Sequence, residues 1–194
     1  SLAGKILRLR PDGGTPDSNP FPRSPVWSYG HRNVQGLAWD GRGRMYASEH
    51  GPTGEFGLCC HDEINLIERG GFYGWPLKAG RATAARPGEI RVSGLPRAIP
   101  PVAESDGATW APSGIAFLGR SLYVANLRGE QVRRFDLDRR RPGGVVRQSV
   151  VLQGRGRIRD VVRGRRGCLY VLTSNRDGRG DPRAGDDKLL RLCP

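Results

Sequence analysis

Short apolar runs separated by glycine-bearing turns recur along the chain, and they predict strands. GKILRLR (4–10) alternates apolar and polar residues, the pattern of a half-exposed strand. Pro11-Asp12-Gly13-Gly14 turns it, and a proline-rich loop runs to Pro25. QGLAW (35–39), RMYASE (44–49) and DEINLIE (62–68) read as three further strands, the first two joined by the turn Asp40-Gly41-Arg42-Gly43. Residues 78–106 hold Pro87, Pro96, Pro100 and Pro101 and read as loop rather than helix. The pattern resumes with SGIAFL (113–118), SLYVA (121–125), QVRRFD (131–136) and residues 145–152. It closes with IRDVV (158–162), CLYVLT (168–173) and KLLRL (188–192).

These groups are internally similar. QGLAWDGRGRMYASEHG, SGIAFLGRSLYVANLRG and RDVVRGRRGCLYVLTSNRDG each give an apolar strand, a glycine turn, a strand containing tyrosine and then polar residues. That is the four-stranded antiparallel meander of a propeller blade, with the polar residues near one end of a central channel. The expected class is therefore all-β, a β-propeller of four-stranded blades. About three blades are expected, plus a leading strand from another. Closed propellers have roughly four to eight blades. Three alone would leave open sheet edges, so a missing partner half is expected. The chain opens at Ser1 directly in a strand with no signal peptide, and reads as a piece of a longer protein.

Composition narrows the picture. Of 194 residues, 37% are hydrophobic and 26% charged, enough to build a core. No apolar stretch is long enough to span a bilayer. The net charge of +13 would suit an anionic partner. The arginines are scattered, however, with the densest runs at 139–141 and 163–166 in turns, and no nucleic-acid-binding motif is present. A solvated basic surface is the expectation, not nucleic-acid binding. Cys59, Cys60, Cys168 and Cys193 lack zinc-ligand spacing. Cys168 and Cys193 begin and end two consecutive strand-like runs, so an antiparallel hairpin could bring them together as a disulfide.

Polar motifs crowd between residues 29 and 76. GHRNVQGLAW, SEHGP, DEINLI and GGFYGWP, followed by TWAPSGIAF, LYVANLRG, RIRDVV and LYVLTSNRDGRG, resemble the soluble aldose sugar dehydrogenases that use pyrroloquinoline quinone, the glucose/sorbosone dehydrogenase family. The resemblance keeps the same order from about Gly4 to Leu192 and covers what would be the C-terminal half. It implies a six-bladed propeller of which this chain supplies about three blades. It also implies the quinone in a central groove, a bridging calcium, an aldose oxidised at its anomeric carbon by hydride transfer, and an external electron acceptor. A periplasmic or secreted location is implied as well.

The resemblance also assigns residues. Arg32 and Asn33 would contact the quinone, Arg32 stabilising charge as it is reduced. Gly51 and Pro52 would offer backbone carbonyls to calcium, and hard oxygen donors suit that ion. His50 would lie beside the cofactor, though not as the base. Thr109 and Arg128 would face it. Arg157 and Arg159, two apart on a strand, would share one face and clamp a carboxylate. Glu63, by its carboxylate, and Tyr73, by its carbonyl, would form a second calcium site away from the channel. Gln35, Asn126 and Asn175 could reach the groove, whereas Phe72, Trp75, Trp110 and Asp160 read as structural. The segment TGEFGLCCH departs from the family's shorter link. No motif here matches the family's general-base histidine, which comes from the first half, so the chain alone would be inactive. The competing reading is a non-catalytic propeller module that binds a partner.

Overall fold

A computed structural model describes residues 1–83 and 94–193. Those residues contain strands, one short 3-10 turn at Glu55–Gly57 and no α-helix. Two sheets are complete four-stranded meanders. The first takes β3 (Val34–Trp39), β4 (Met45–Glu49), β5 (Glu63–Ile67) and β8 (Ala103–Glu104) in that spatial order. The second takes β9 (Pro112–Leu118), β10 (Ser121–Asn126), β11 (Gln131–Leu137) and β12 (Val145–Gln153). A third sheet has three strands, β13 (Ile158–Arg163), β14 (Leu169–Thr173) and β15 (Leu189–Leu192). All pairings within the sheets are antiparallel.

Ahead of them, β1 (Lys5–Leu7) pairs with β2 (Val26–Tyr29), so the leading element is a strand pair rather than one strand. Its second member follows the proline-rich loop and is short enough to escape a periodicity argument. In the region expected to be loop, β6 (Lys78–Ala79) and β7 (Ala82–Thr83) form a minimal hairpin, and β8 completes the first meander. Pro87 lies outside the described residues.

Each sheet is packed on its neighbour through residues that alternate along the strands. In β10 every residue is buried, because both faces of that sheet are covered. Leu122 and Val124 join Tyr46, Ile64, Trp110, Ile115 and Phe135 on one side. Tyr123 and Ala125 join Val132, Ile158, Val161, Leu169 and Val171 on the other. Each fully buried aliphatic or aromatic side chain of this kind contributes roughly 1.5–3 kcal/mol. The first strands β3, β9 and β13 lie side by side across the stack, stitched by hydroxyls. Ser48 Oγ donates to the Ser113 carbonyl at 2.5 Å, and Ser113 Oγ donates to the Ile158 carbonyl at 3.0 Å. Gly36 permits the close approach, since a Cβ there would meet the Ser113 carbonyl oxygen at 2.5 Å.

The outer faces at the two ends of the stack are left partly open, the first sheet being covered in part by β1 and β2 through Ile6 and Trp27. Trp39 on β3 is 57% exposed, and Leu189 on β15 is 65% exposed beside exposed Val162, Tyr170 and Leu172. The Cys168–Cys193 disulfide forms and closes the β13–β15 sheet. The adjacent Cys59 and Cys60 are also joined to each other, a pairing that spacing alone did not suggest.

Candidate functional site

One end of the stack collects most of the polar motifs, and the register explains why. Val34, Glu49, Glu63 and Glu104 stand in one row across the first sheet. The residues just outside that row, 29–33 before β3 and 50–62 between β4 and β5, therefore project from the same end. The β10–β11 turn (127–130), the segment before β9 and the loop after β14 project there too.

The GHRN motif is anchored from beneath. His31 is buried, with Nε2 at 2.9 Å from Ser28 Oγ and Nδ1 at 2.9 Å from Glu49 Oε2, and it stacks on Tyr73 at 4.6 Å. The other Glu49 oxygen accepts the Arg32 backbone N–H. His31 and Glu49 thus fix the backbone from which Arg32 extends. The Arg32 guanidinium lies over the Trp75 ring at 5.6 Å and donates to Glu55 Oε1 at 2.5 Å and to the His50 carbonyl at 3.3 Å. Burial would raise the Glu55 carboxyl, but the Arg32 pairing and backbone donors outweigh it and bring it down to about 2. Glu55 belongs to the unusual TGEFGLCCH segment, which packs Phe56 against Trp75. Asn33 is exposed and accepts from Gln35 Nε2 at 2.8 Å.

Asp62 is the hub of the site and was not singled out from the sequence. It is buried, and its Oδ1 accepts the Gly51 N–H at 2.9 Å. Its Oδ2 accepts the Trp110 and Ala111 N–H groups at 2.6 and 2.8 Å. One carboxylate therefore joins the SEHGP turn to the loop carrying Thr109. That loop in turn receives the β10–β11 turn, because the Arg128 and Gly129 N–H groups donate to the Trp110 carbonyl. Gly51 is pressed against the His61 backbone, which leaves no room for a Cβ. The Pro52 carbonyl accepts the Cys60 N–H at 2.9 Å, while no described group donates to the Gly51 carbonyl.

His50 lies between these parts. Burial lowers its pKa, which Asp62 and the neighbouring Pro112 carbonyl oppose and the charges of Arg32 and Arg159 reinforce. The ring is thus biased toward the neutral form, and its buried Nε2 has no hydrogen-bond partner among the described residues. Arg157 and Arg159 do come together, as their spacing implied: both donate to Asp177 Oδ2, at 3.0 and 3.3 Å. Asn175 is buried and accepts the Arg157 N–H at 2.8 Å, so it positions the pair from behind. Asn126 is also buried, spends its amide N–H on the Val124 and Gln131 carbonyls, and leaves Oδ1 unpartnered. Thr109 is half-buried and Arg128 exposed. Asp160 packs against Gly114 on the neighbouring sheet and is structural.

Glu63 stands in the first sheet's row beside Glu49, and Tyr73 stacks on His31. Glu63 is buried beside Glu49, accepts Asn65 Nδ2 at 2.9 Å and the Gly80 N–H, and is pushed up to about 8 by burial and then by the Glu49 charge. Asn65 Oδ1 is buried without a partner. Tyr73 Oη donates to the Leu66 carbonyl and accepts the Glu68 N–H, and burial raises its pKa. Among the described residues no cluster of three or more His, Cys, Asp or Glu side chains has metal-holding geometry.

The donor chemistry fits the groups implied by the sequence. A quinone bearing carboxylates requires cations and hydrogen-bond partners: the charges of Arg32 and Arg159 reach His50, whose Nε2 is unpartnered among the described residues, and Arg157 lies beside Arg159 on Asp177. Calcium accepts backbone carbonyls, and Gly51 offers one without a donor. At the second position, a cation would favour the ionised form of a carboxyl that burial keeps protonated.

Comparison with known proteins follows the same lines. The chain aligns at 34% identity over 216 residues with Aldose sugar dehydrogenase YliI of Escherichia coli (strain K12), covering 100% of this chain and 52% of that protein. Over 80 residues it is 48% identical to Quinoprotein glucose dehydrogenase B of Acinetobacter calcoaceticus. Among solved structures, the PQQ-bound Aldose Sugar Dehydrogenase of Streptomyces coelicolor superposes with a TM-score of 0.84 at 42% identity, over 99% of this chain and 52% of that one. A putative oxidoreductase (glucose dehydrogenase) of Thermus thermophilus gives 0.85 at 46%, over 99% and 56%. The chain therefore spans about half the length of these relatives. With a family model for Glucose / Sorbosone dehydrogenase matching residues 1–191, the chain belongs to that family.

Proposed function

We propose that this chain is the C-terminal half of a calcium-assisted, quinone-dependent aldose dehydrogenase. It would form about three blades of a six-bladed propeller, with the first half completing the groove. The observation that carries the reading is that Arg157 and Arg159 share one carboxylate, Asp177, while the charges of Arg32 and Arg159 both reach half-buried His50, whose Nε2 is unpartnered among the described residues. A module that merely docks a partner has no need for these cations around a neutral ring nitrogen. Apolar side chains left exposed on the outer faces of the first and last sheets support a missing half, which would bury Trp39, beside the β1–β2 pair, on one side and Leu189 on the other.

Arg157 and Arg159 would hold a carboxylate of the quinone in place of Asp177. Arg32 would lie against the quinone and stabilise negative charge there, and Asn33, Thr109 and Arg128 would bound the groove. The Gly51 and Pro52 carbonyls would hold calcium, with Asp62 fixing their turn. When bound, the quinone would supply the two-electron acceptor for hydride transfer from the sugar's anomeric carbon, and calcium would supply polarising positive charge. His50, biased to the neutral form, would offer Nε2 as a hydrogen-bond partner rather than act as the base. The base and much of the sugar contact would come from the first half. Glu63 and the Tyr73 carbonyl would hold a second calcium. The Cys168–Cys193 disulfide supports an oxidising, periplasmic or extracellular location.

The test is titration of the chain with the quinone and calcium, read by quinone absorbance. Binding weakened at least tenfold in Arg157→Ala/Arg159→Ala supports the reading. Dye-linked aldose oxidation should then appear only when the first half is restored. Quinone binding unchanged by the double substitution, or no oxidation by the completed protein, would overturn it.

A further inference from the structure

The opposite end of the stack carries a different chemistry. The turns there are 40–44, 119–120, 138–144 and 163–167, from three adjacent sheets. They expose Arg42, Arg120 and the run Arg139, Arg140 and Arg141. The third sheet adds exposed Arg163, Arg165 and Arg166. None of these side chains enters an ion pair with a described residue.

The carboxylates within these turns are committed locally. Asp40 Oδ1 accepts the Arg42 and Arg44 N–H groups and its Oδ2 pairs with the Arg44 guanidinium at 2.7 Å. Asp138 Oδ1 accepts the Arg140 and Arg141 N–H groups. Most other acids the structure describes, including Glu49, Glu55, Asp62, Glu63, Glu104 and Asp177, belong to the site end. At the site end acids are matched by cations such as Arg32, Arg81, Arg157 and Lys188, whereas the turns at this end carry a positive excess.

We propose that this end is a docking surface for an anionic phospholipid membrane. The arginines sit at turn tips of neighbouring sheets at one end of the stack, so a flat array of headgroups can meet several turns at once. The tips are parted by clefts of about 240 and 890 Å³, lined by Arg42, Arg120, Arg139 and Arg140 together with Asp40, Asp136 and Asp138, whose oxygens accept local backbone N–H or arginine donors. Such clefts admit single phosphate headgroups to planar, forked guanidinium donors. A nucleic-acid duplex is read by an element that enters a groove, and the turn tips supply none. Docked this way, the protein keeps its candidate site facing solution.

The test is co-sedimentation of the full chain with vesicles of phosphatidylcholine, with and without phosphatidylglycerol. Binding is expected only with the anionic lipid and should fall with added salt. Each basic residue near such a surface contributes about fivefold in partitioning. Arg139→Gln/Arg140→Gln/Arg141→Gln should thus lose at least tenfold. Arg155→Gln/Arg179→Gln/Arg183→Gln, which removes equal charge at the site end, should retain binding. Failure to bind, or equal loss in both variants, would overturn the proposal. Displacement of the vesicles by duplex DNA at equal phosphate concentration would replace lipid with nucleic acid as the partner.

Discussion

Asp62→Asn tests the claim that one carboxylate organises the candidate site. The wild-type side chain accepts three buried backbone N–H groups, two at Oδ2 and the Gly51 N–H at Oδ1. An amide has one oxygen. It would keep that oxygen toward Trp110 and Ala111, where two donors wait, and turn its NH₂ toward Gly51. The Gly51 N–H would then face a donor. A hydrogen bond to a charged acceptor contributes about 1.5–3 kcal/mol, and an unsatisfied buried donor costs about 1–3 kcal/mol. The two surviving bonds weaken as their acceptor loses its charge. The expected loss is about 3 kcal/mol, which for a chain of this size lowers Tm by roughly 10 °C. Guanidinium unfolding at neutral pH measures it, and amide exchange at Gly51 locates it. Quinone and calcium affinity should fall with the loosened turn. A loss below about 1 kcal/mol, or unchanged exchange at Gly51, would refute the reasoning.

Other outcomes follow from the same structure. Cys168→Ser/Cys193→Ser opens a loop with a sequence separation of 25 and should cost roughly 3 kcal/mol, read as a lower guanidinium midpoint that reductant reproduces in the wild type. Glu55→Gln frees Arg32 from a half-exposed pair. It should change stability by less than about 1 kcal/mol while tightening quinone binding several-fold in the absorbance titration. Because the folded Glu55 carboxyl lies at about 2, below its unfolded value, the pair stabilises at neutral pH and its contribution is lost as pH falls toward 2, so Glu55→Gln should flatten the acid limb of an unfolding-versus-pH curve. Leu122→Ala, in a strand buried on both faces, should cost about 3 kcal/mol in the same unfolding assay.

The strands of the three repeats were legible because a strand covered on one or both faces writes its burial into a period of two, as in Leu122 to Ala125. The short strands β2 and β6 to β8 were not, since two to four residues carry too little pattern. In the site, the family resemblance picked out Arg157 and Arg159, and their alternation with Ile158 put them on one face. Arg157 lies just ahead of β13 and Arg159 at its register shift, and both meet at Asp177. Asp62 was missed although its motif was noted, because its partners are backbone N–H groups, and no side-chain type reports those. Glu55 and Asp177 were missed for a related reason: each meets its arginine across more than fifteen residues of chain, a contact set by how loops from different strands converge.

That convergence bears on how the site would work. The pairs of Arg32 with Glu55 and of Arg159 with Asp177 join partners that keep substantial exposure. Exposed pairs of this kind contribute only about 0–1 kcal/mol. An incoming carboxylate can therefore replace Glu55 or Asp177 at small net cost, while the side chains remain where the fold has set them. The expensive interactions lie beneath, in the buried bonds of His31, Glu49 and Asp62, which hold backbone rather than ligand. Affinity would then depend on an anchored backbone with loosely held cations above it. On this argument, substitutions beneath the site should reduce stability and binding together, and substitutions of Glu55 or Asp177 should move binding alone.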